Sequence, residues 1–126
     1  MEDGRRTRRR YPRVRSDNII SLRPVSAPGG KKVLAISKTL GLGGLMFESE
    51  RKVAVDENLE MSILAGLDLI PTTVRVVWTE KGEREKWAVG VEFLDMSEED
   101  RTRILDYLMQ RVYLEEEEGF TGGSRT

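Results

Sequence analysis

Two period-two runs that face each other across a short charged loop constrain this chain more than any other feature. In the first, Thr72 to Thr79, the residues Thr73, Arg75, Val77 and Thr79 fall on one face and Val74, Val76 and Trp78 on the other. In the second, Trp87 to Leu94, a face of Trp87, Val89, Val91 and Phe93 opposes Ala88, Gly90, Glu92 and Leu94. Such alternation marks a half-buried strand, because successive side chains leave the backbone on opposite sides. Lys81-Gly82 and its charged neighbours supply the loop, so the pair is a long β-hairpin.

Shorter strand-like runs precede it. Asn18 to Arg23 reads as a first strand, ended by Pro24 and the Pro28-Gly29-Gly30 turn, and Lys32 to Leu40 as a second. Gly41-Leu42-Gly43-Gly44 concentrates glycine where a chain bends sharply or approaches something closely, after which Leu45-Met46-Phe47 resumes an apolar strand. Leu59 to Leu64 alternates in part. Ser97-Glu98-Glu99-Asp100 is a helix start, with a capping hydroxyl and acidic residues in the first turn. Ile104, Leu105, Leu108 and Val112 then recur at helical spacing, and Glu115 to Glu118 with Gly119 are expected to end the helix. Five or six antiparallel strands with one terminal helix predict an all-β fold, a small closed barrel whose open end the helix covers.

Composition narrows the function. A chain of 126 residues holds one core and one site. It has no histidine, which removes the commonest general base and metal ligand, and no cysteine, which removes disulfides and thiolate metal sites. The acidic residues are scattered or gathered in Glu115 to Glu118, so a binding module is expected rather than an enzyme, with no metal and no cofactor. No apolar run approaches the ~20 residues that span a bilayer, and Met1 to Arg5 lack a secretory pattern, so a soluble cytoplasmic protein with no transmembrane segment is expected.

The net charge of −1 conceals an asymmetry, since arginines crowd the first fifteen positions and glutamates the far end. Met1 to Arg8 carry almost no apolar side chains, and a disordered basic arm is expected over residues 1–8. Arg8-Arg9-Arg10-Tyr11-Pro12-Arg13-Val14-Arg15 sets several guanidinium groups just ahead of the first strand. Each can pair bidentately with phosphate or the O6/N7 edge of guanine, and stack on a base. By charge alone the arm suits a nucleotide, a nucleic acid, an anionic membrane, or the chain's own acidic tail. No aromatic platform or RNA motif supports a nucleic-acid polymer. Trp78 and Trp87, on strands, read as barrel core or a cross-strand pair before they read as base-stacking surfaces.

The arginine arm, the glycines of 41–44, the paired strands ending Gly90-Val91-Glu92-Phe93 and the Ser-Glu-Glu-Asp helix start together resemble PilZ domains, bacterial modules that typically bind cyclic di-GMP. The resemblance runs from about Arg8 to Leu114. It implies a six-stranded antiparallel barrel with a C-terminal helix: a domain over 9–114, with a ligand arm 9–15, barrel 16–96 and helix 97–114, then a flexible acidic tail 115–126. It also implies two ligand motifs. Arg-x-x-x-Arg is met by Arg9 and Arg13, with Arg10 as a third contact. Asp/Asn-x-Ser-x-x-Gly aligns with Thr39-Leu40-Gly41-Leu42-Gly43-Gly44 and keeps only Gly44, with Thr39 in the acidic or amide position and Gly41 in the serine position. Losing a carboxylate and a hydroxyl hydrogen bond weakens binding by roughly 50- to 1000-fold. The expected function is a cyclic di-GMP receptor or adaptor whose arm orders over the ligand and signals to a protein effector. The alternative is a degenerate PilZ interaction module, in motility or exopolysaccharide regulation, that no longer binds the nucleotide.

Overall fold

The computed structural model describes residues 14–125, with side chains described for 14–111. Among the described residues, seven strands and a single 3-10 turn precede one α-helix: β1 (Val14–Arg15), β2 (Ile19–Pro24), β3 (Val33–Leu40), β4 (Gly44–Ser49), β5 (Asn58–Ala65), β6 (Asp68–Lys81), the 3-10 turn (Glu83–Glu85), β7 (Trp87–Phe93) and α1 (Glu98–Arg125). All pairings are antiparallel. β2, β5, β6, β7, β4 and β3 follow one another round a ring that the β3 to β4 pairing closes, and β1 adds to β3. The fold is the expected six-stranded barrel, with one extra strand. Closure leaves the six barrel strands no free edge, which is how a small all-β chain avoids edge-to-edge association.

The inward set follows the period-two pattern. Leu59, Met61, Ile63 and Ala65 of β5 and Ile70, Val74 and Val76 of β6 meet Phe47, Val89 and Val91 in one core. Two bulges interrupt the pattern. Between Ser37 and Thr39 of β3, Lys38 is an extra residue opposite β4, and between Val76 and Trp78 of β6, Val77 is an extra residue opposite β7. A bulge reverses the side-chain phase beyond it and tightens the twist that a small barrel needs. Trp78 is therefore not on the face of Val74 and Val76, as simple alternation places it. It pairs with Gly90, and a Cβ on that glycine would run into the Trp78 ring, so the indole lies flat over the Gly90 backbone outside the barrel.

The two tips of β6 solve the same turn differently. The β5–β6 loop, Gly66-Leu67, uses glycine at φ +64°, whereas the β6–β7 tip holds Arg84 and Glu85 at φ 60° and 62°. Lys86 N–H donates to Glu83 O at 3.1 Å and closes that second turn, which carries the strain of two left-handed non-glycine residues.

α1 is capped as expected, with Asp100 N–H donating to Ser97 Oγ at 3.0 Å. Ile104 and Leu108 are buried against the barrel end and Tyr107 packs beside them. Leu105, expected in the same stripe, is exposed, while the Val112 side chain lies outside the described residues. The helix also runs through Gly119 to Arg125 rather than ending at Leu114. Glutamates are good helix formers, and a glycine costs about 1 kcal/mol in a helix without the ring clash that makes proline a stop.

Buried polar groups fasten the barrel to its ends. Ser16 Oγ and Ser37 Oγ are 2.6 Å apart, and Asn18 N–H donates to Ser37 Oγ at 3.1 Å. Asn18 Nδ2 donates to Leu64 O at 2.8 Å and to the Tyr107 hydroxyl at 3.0 Å. The β1–β2 link, β3, the end of β5 and the helix thus share one satisfied network, which fixes their mutual placement.

Candidate ligand-binding face

The end of β3 is flanked on both sides. β1 runs along one side, with Val14 opposite Leu40 and Arg15 opposite Thr39, and β4 along the other, with Met46 opposite Thr39 and Leu45 opposite Leu40. Leu40, Leu45 and Val91 point inward. By alternation, the row Arg15, Thr39, Met46, Gly90 and Trp78 lies on the outer surface across β1, β3, β4, β7 and β6.

The turn that joins β3 to β4 sits at the end of this row. Gly41 N–H donates to Gly44 O at 2.9 Å, and Phe93 N–H donates to Gly43 O at 2.9 Å. Leu42 is buried and holds the turn down, and its carbonyl accepts from Arg101 Nη1 of α1 at 3.3 Å. The glycines are not equivalent. A Cβ on Gly44 would collide with the Val91 carbonyl oxygen, so β4 reaches β7 only without a side chain there. Gly43 is exposed with open space around it, and Gly41 is buried.

Of the residues singled out from sequence, the structure brings Thr39, Gly41 and Gly44 together at this turn, while Arg9, Arg10 and Arg13 lie outside the described residues. Thr39 Oγ1 is buried and has no hydrogen-bond partner among the described residues. A second helix arginine reaches the same corner, with Arg111 Nη2 donating to Arg15 O at 3.1 Å.

One row further along the outer surface, Gly44 is opposite Glu92, and Glu92 is opposite Arg75. Arg75 Nε donates to Glu92 Oε2 at 2.7 Å and Arg75 Nη1 to Asp56 Oδ1 at 2.7 Å. Hydrogen bonds to Glu92 and then to Asp56 raise the Arg75 pKa above its ordinary value, so its charge is fixed. Met46 and Glu92 share this candidate surface without being singled out from sequence, whereas Arg15 belongs to the expected ligand arm and Trp78 reads from sequence as core or a cross-strand pair. Period-two alternation carries the signal for Glu92, but only the strand order brings it beside Gly44. Among the described residues, no group of three acidic, histidine or cysteine side chains is placed to hold a metal ion, and no helix is long and apolar enough to cross a membrane.

The described residues thus form a closed antiparallel barrel with a glycine turn against its flank, a short added strand beside that turn and a helix over one end. The PilZ domain family model matches residues 7–110, and the chain belongs to that family. None of the curated proteins matches it in sequence. Among solved structures, it is similar to the Bacillus subtilis inhibitor of motility MotI/DgrA, with TM-score 0.72 and 18% identity over 84% of this chain and 52% of that one. It is similar to Escherichia coli YcgR in complex with c-di-GMP, with TM-score 0.75 and 11% identity over 90% of this chain and 50% of that one. The PilZ domain of YcgR with c-di-GMP gives TM-score 0.67 and 11% identity over 90% and 98% of the two chains. The chain thus spans about half the length of MotI and of YcgR. At these identities the likeness establishes the fold.

Proposed function

We propose that this domain is a cyclic di-GMP receptor or adaptor, acting in the cytoplasm by binding rather than catalysis. Arg9, Arg10 and Arg13 grip the ligand against the surface of Thr39, Gly41 and Gly44. The observation that carries this reading is the pairing of Val14 with Leu40 and of Arg15 with Thr39. A chain reaches at most ~3.5 Å per residue, so Arg9 to Arg13 are tethered within roughly 18 Å of Val14, a reach long enough to bring their guanidinium groups to the glycine turn. Membership of the PilZ family and the c-di-GMP complexes of YcgR support the choice of ligand.

The chemistry follows from the residue types. Guanidinium forks neutralise the two phosphates and take the O6/N7 edge of guanine, while the exposed Gly43, with open space where a side chain would stand, lets the ligand lie close to the backbone. The arm orders on binding, and its repositioning presents a new surface to a protein effector, with the ordering entropy subtracted from affinity.

Calorimetric titration with cyclic di-GMP at near-physiological salt, on the wild type and on Arg9→Ala and Arg13→Ala, tests this directly. Saturable wild-type binding that both variants lose is expected. The Thr39 and Gly41 departures favour a second reading, a nucleotide-independent interaction module in motility or exopolysaccharide regulation. A flat wild-type titration to high micromolar ligand would establish that one instead.

A further inference from the structure

With threonine at position 39, the ligand motif has no carboxylate to offer guanine, yet the same outer surface presents one a strand away. The Watson–Crick edge of guanine carries an N2 amine whose natural partner is an ionised carboxylate oxygen, a charge-assisted bond roughly twice as strong as a neutral one. Thr39 brings only a hydroxyl.

Glu92 is the residue opposite Gly44. It alternates with Val91, which is buried in the core, so its side chain leaves the barrel on the surface shared with Met46 and Gly90. Gly44 adds no side chain between Glu92 and the Gly41–Gly44 turn. The carboxylate is also held in place, because Arg75 Nε and Nη2 both approach Oε2, while Arg75 is anchored from its other side by Asp56. Oε1 makes no hydrogen bond among the described residues, and the Glu92 side chain is 42% exposed. One oxygen fixes the group and the other has no partner among the described residues.

Charge points the same way. Two carboxylates on one guanidinium leave the Asp56, Arg75 and Glu92 cluster with a net negative charge, which repels a phosphate and attracts a donor edge. Val14 and Arg15, which the basic arm precedes in sequence, pair with Leu40 and Thr39 at the opposite end of the surface. A guanine dinucleotide lying across the turn is therefore polarised, with phosphates toward the arm and a base edge toward Glu92.

We propose that Glu92 is the guanine-specificity residue of this domain. Its Oε1 accepts a hydrogen bond from the N2 amine of one base and so supplies the carboxylate that position 39 lacks. Arg75 is a positioning residue that orients the carboxylate without touching the ligand. This inference rests on the cyclic di-GMP reading above.

The test compares cyclic di-GMP with its hypoxanthine analogue cyclic di-IMP, which keeps the phosphates and the O6/N7 edges but lacks the N2 amine. The full chain is titrated with both as wild type, Glu92→Met, Glu92→Gln and Glu60→Gln, each checked for native circular dichroism. Glu92→Gln retains an acceptor for Arg75 and secures the result if Glu92→Met fails to fold. The wild type should prefer the guanine ligand by about 10-fold or more. Both Glu92 variants should reduce that preference to within about 3-fold, and Glu60→Gln, which removes a carboxylate paired with Arg23 outside this cluster, should preserve it. Equal wild-type affinities for the two ligands, or a preference unchanged in both Glu92 variants, would overturn the assignment while leaving a cyclic dinucleotide receptor in place. A wild type that binds neither ligand would overturn the receptor reading itself, and this inference with it.

Discussion

Ser37 and Thr39 stand two residues apart on β3, and both carry a hydroxyl that the protein hides from water, but only one has a use inside the fold. Ser37 points inward, where it meets Ser16 Oγ and the backbone N–H of Asn18. Thr39 lies on the outer row, with its Oγ1 buried and unpartnered among the described residues. The bulge at Lys38 separates them, for in an unbroken strand residues 37 and 39 share a face. A hydroxyl satisfied within the chain serves the fold. One shielded from water without a partner carries an energetic penalty of about 1–3 kcal/mol, which a ligand hydrogen bond would relieve. The contrast separates scaffold from proposed binding surface within three residues.

The harshest way to break this contrast is Gly44→Ala, which disturbs both sides of it. The added carbon runs into the Val91 carbonyl, and neither backbone can yield without opening the β4 to β7 ladder. A loss of about 3–5 kcal/mol in urea unfolding is expected, together with loss of ligand binding. The open space around Gly43 makes Gly43→Ala the mild control, and if the two lost the same stability, the close approach at Gly44 would not be the cause.

Rewriting the outer hydroxyl sharpens the comparison. Thr39→Asp with Gly41→Ser restores the acidic and hydroxyl positions of the family motif, and calorimetry should show cyclic di-GMP affinity rising by about 5-fold or more, the hydroxyl bond being the one that Glu92 does not already replace. Without ligand the same variant should be less stable than the wild type, because a shielded carboxylate needs a partner more than a hydroxyl does. Unaltered affinity would mean that the turn does not touch the base.

Ser37→Ala tests the inward side. It leaves Ser16 Oγ and Asn18 N–H in the interior without their Ser37 partner and should cost about 2 kcal/mol, measured by denaturant unfolding, with ligand affinity unchanged. A fall in affinity matching the fall in stability would show that the two hydroxyls belong to one unit.

How far these distinctions are legible in the sequence depends on their physical range. Alternation over Val74 to Val76 and Val89 to Phe93, the Ser97 cap and the glycines of 41–44 are local signals, and each marks a real element. The bulges at Lys38 and Val77 are not local. They arise from barrel closure, and they alone decide that Thr39 and Trp78 face outward. β1 is too short at two residues to show a period, so its pairing with Thr39 and Leu40 emerges only in three dimensions. Glu92 and Arg75 read as ordinary polar positions of a hairpin until strand order sets Glu92 beside Gly44.

A pH titration separates the scaffold from the candidate site more gently. Asp95, between β7 and α1, accepts from Thr73 N–H at 2.7 Å, from Thr73 Oγ1 at 3.1 Å and from Thr72 Oγ1 at 3.2 Å. The backbone bond from Thr73, more than any other contact, holds the Asp95 pKa below the usual carboxylate value. A carboxylate depressed in the folded state stabilises it above the unfolded-state pKa, and that contribution disappears as pH falls through the lower folded value. The wild type should therefore lose a small increment of stability on acidification that Asp95→Asn does not lose, visible as converging thermal midpoints of the two proteins below about pH 4. Thr39 and Ser37 do not titrate, so their variants should keep the wild-type pH slope. A slope altered by Thr39→Val would mean that the outer surface is coupled to the helix junction rather than independent of it.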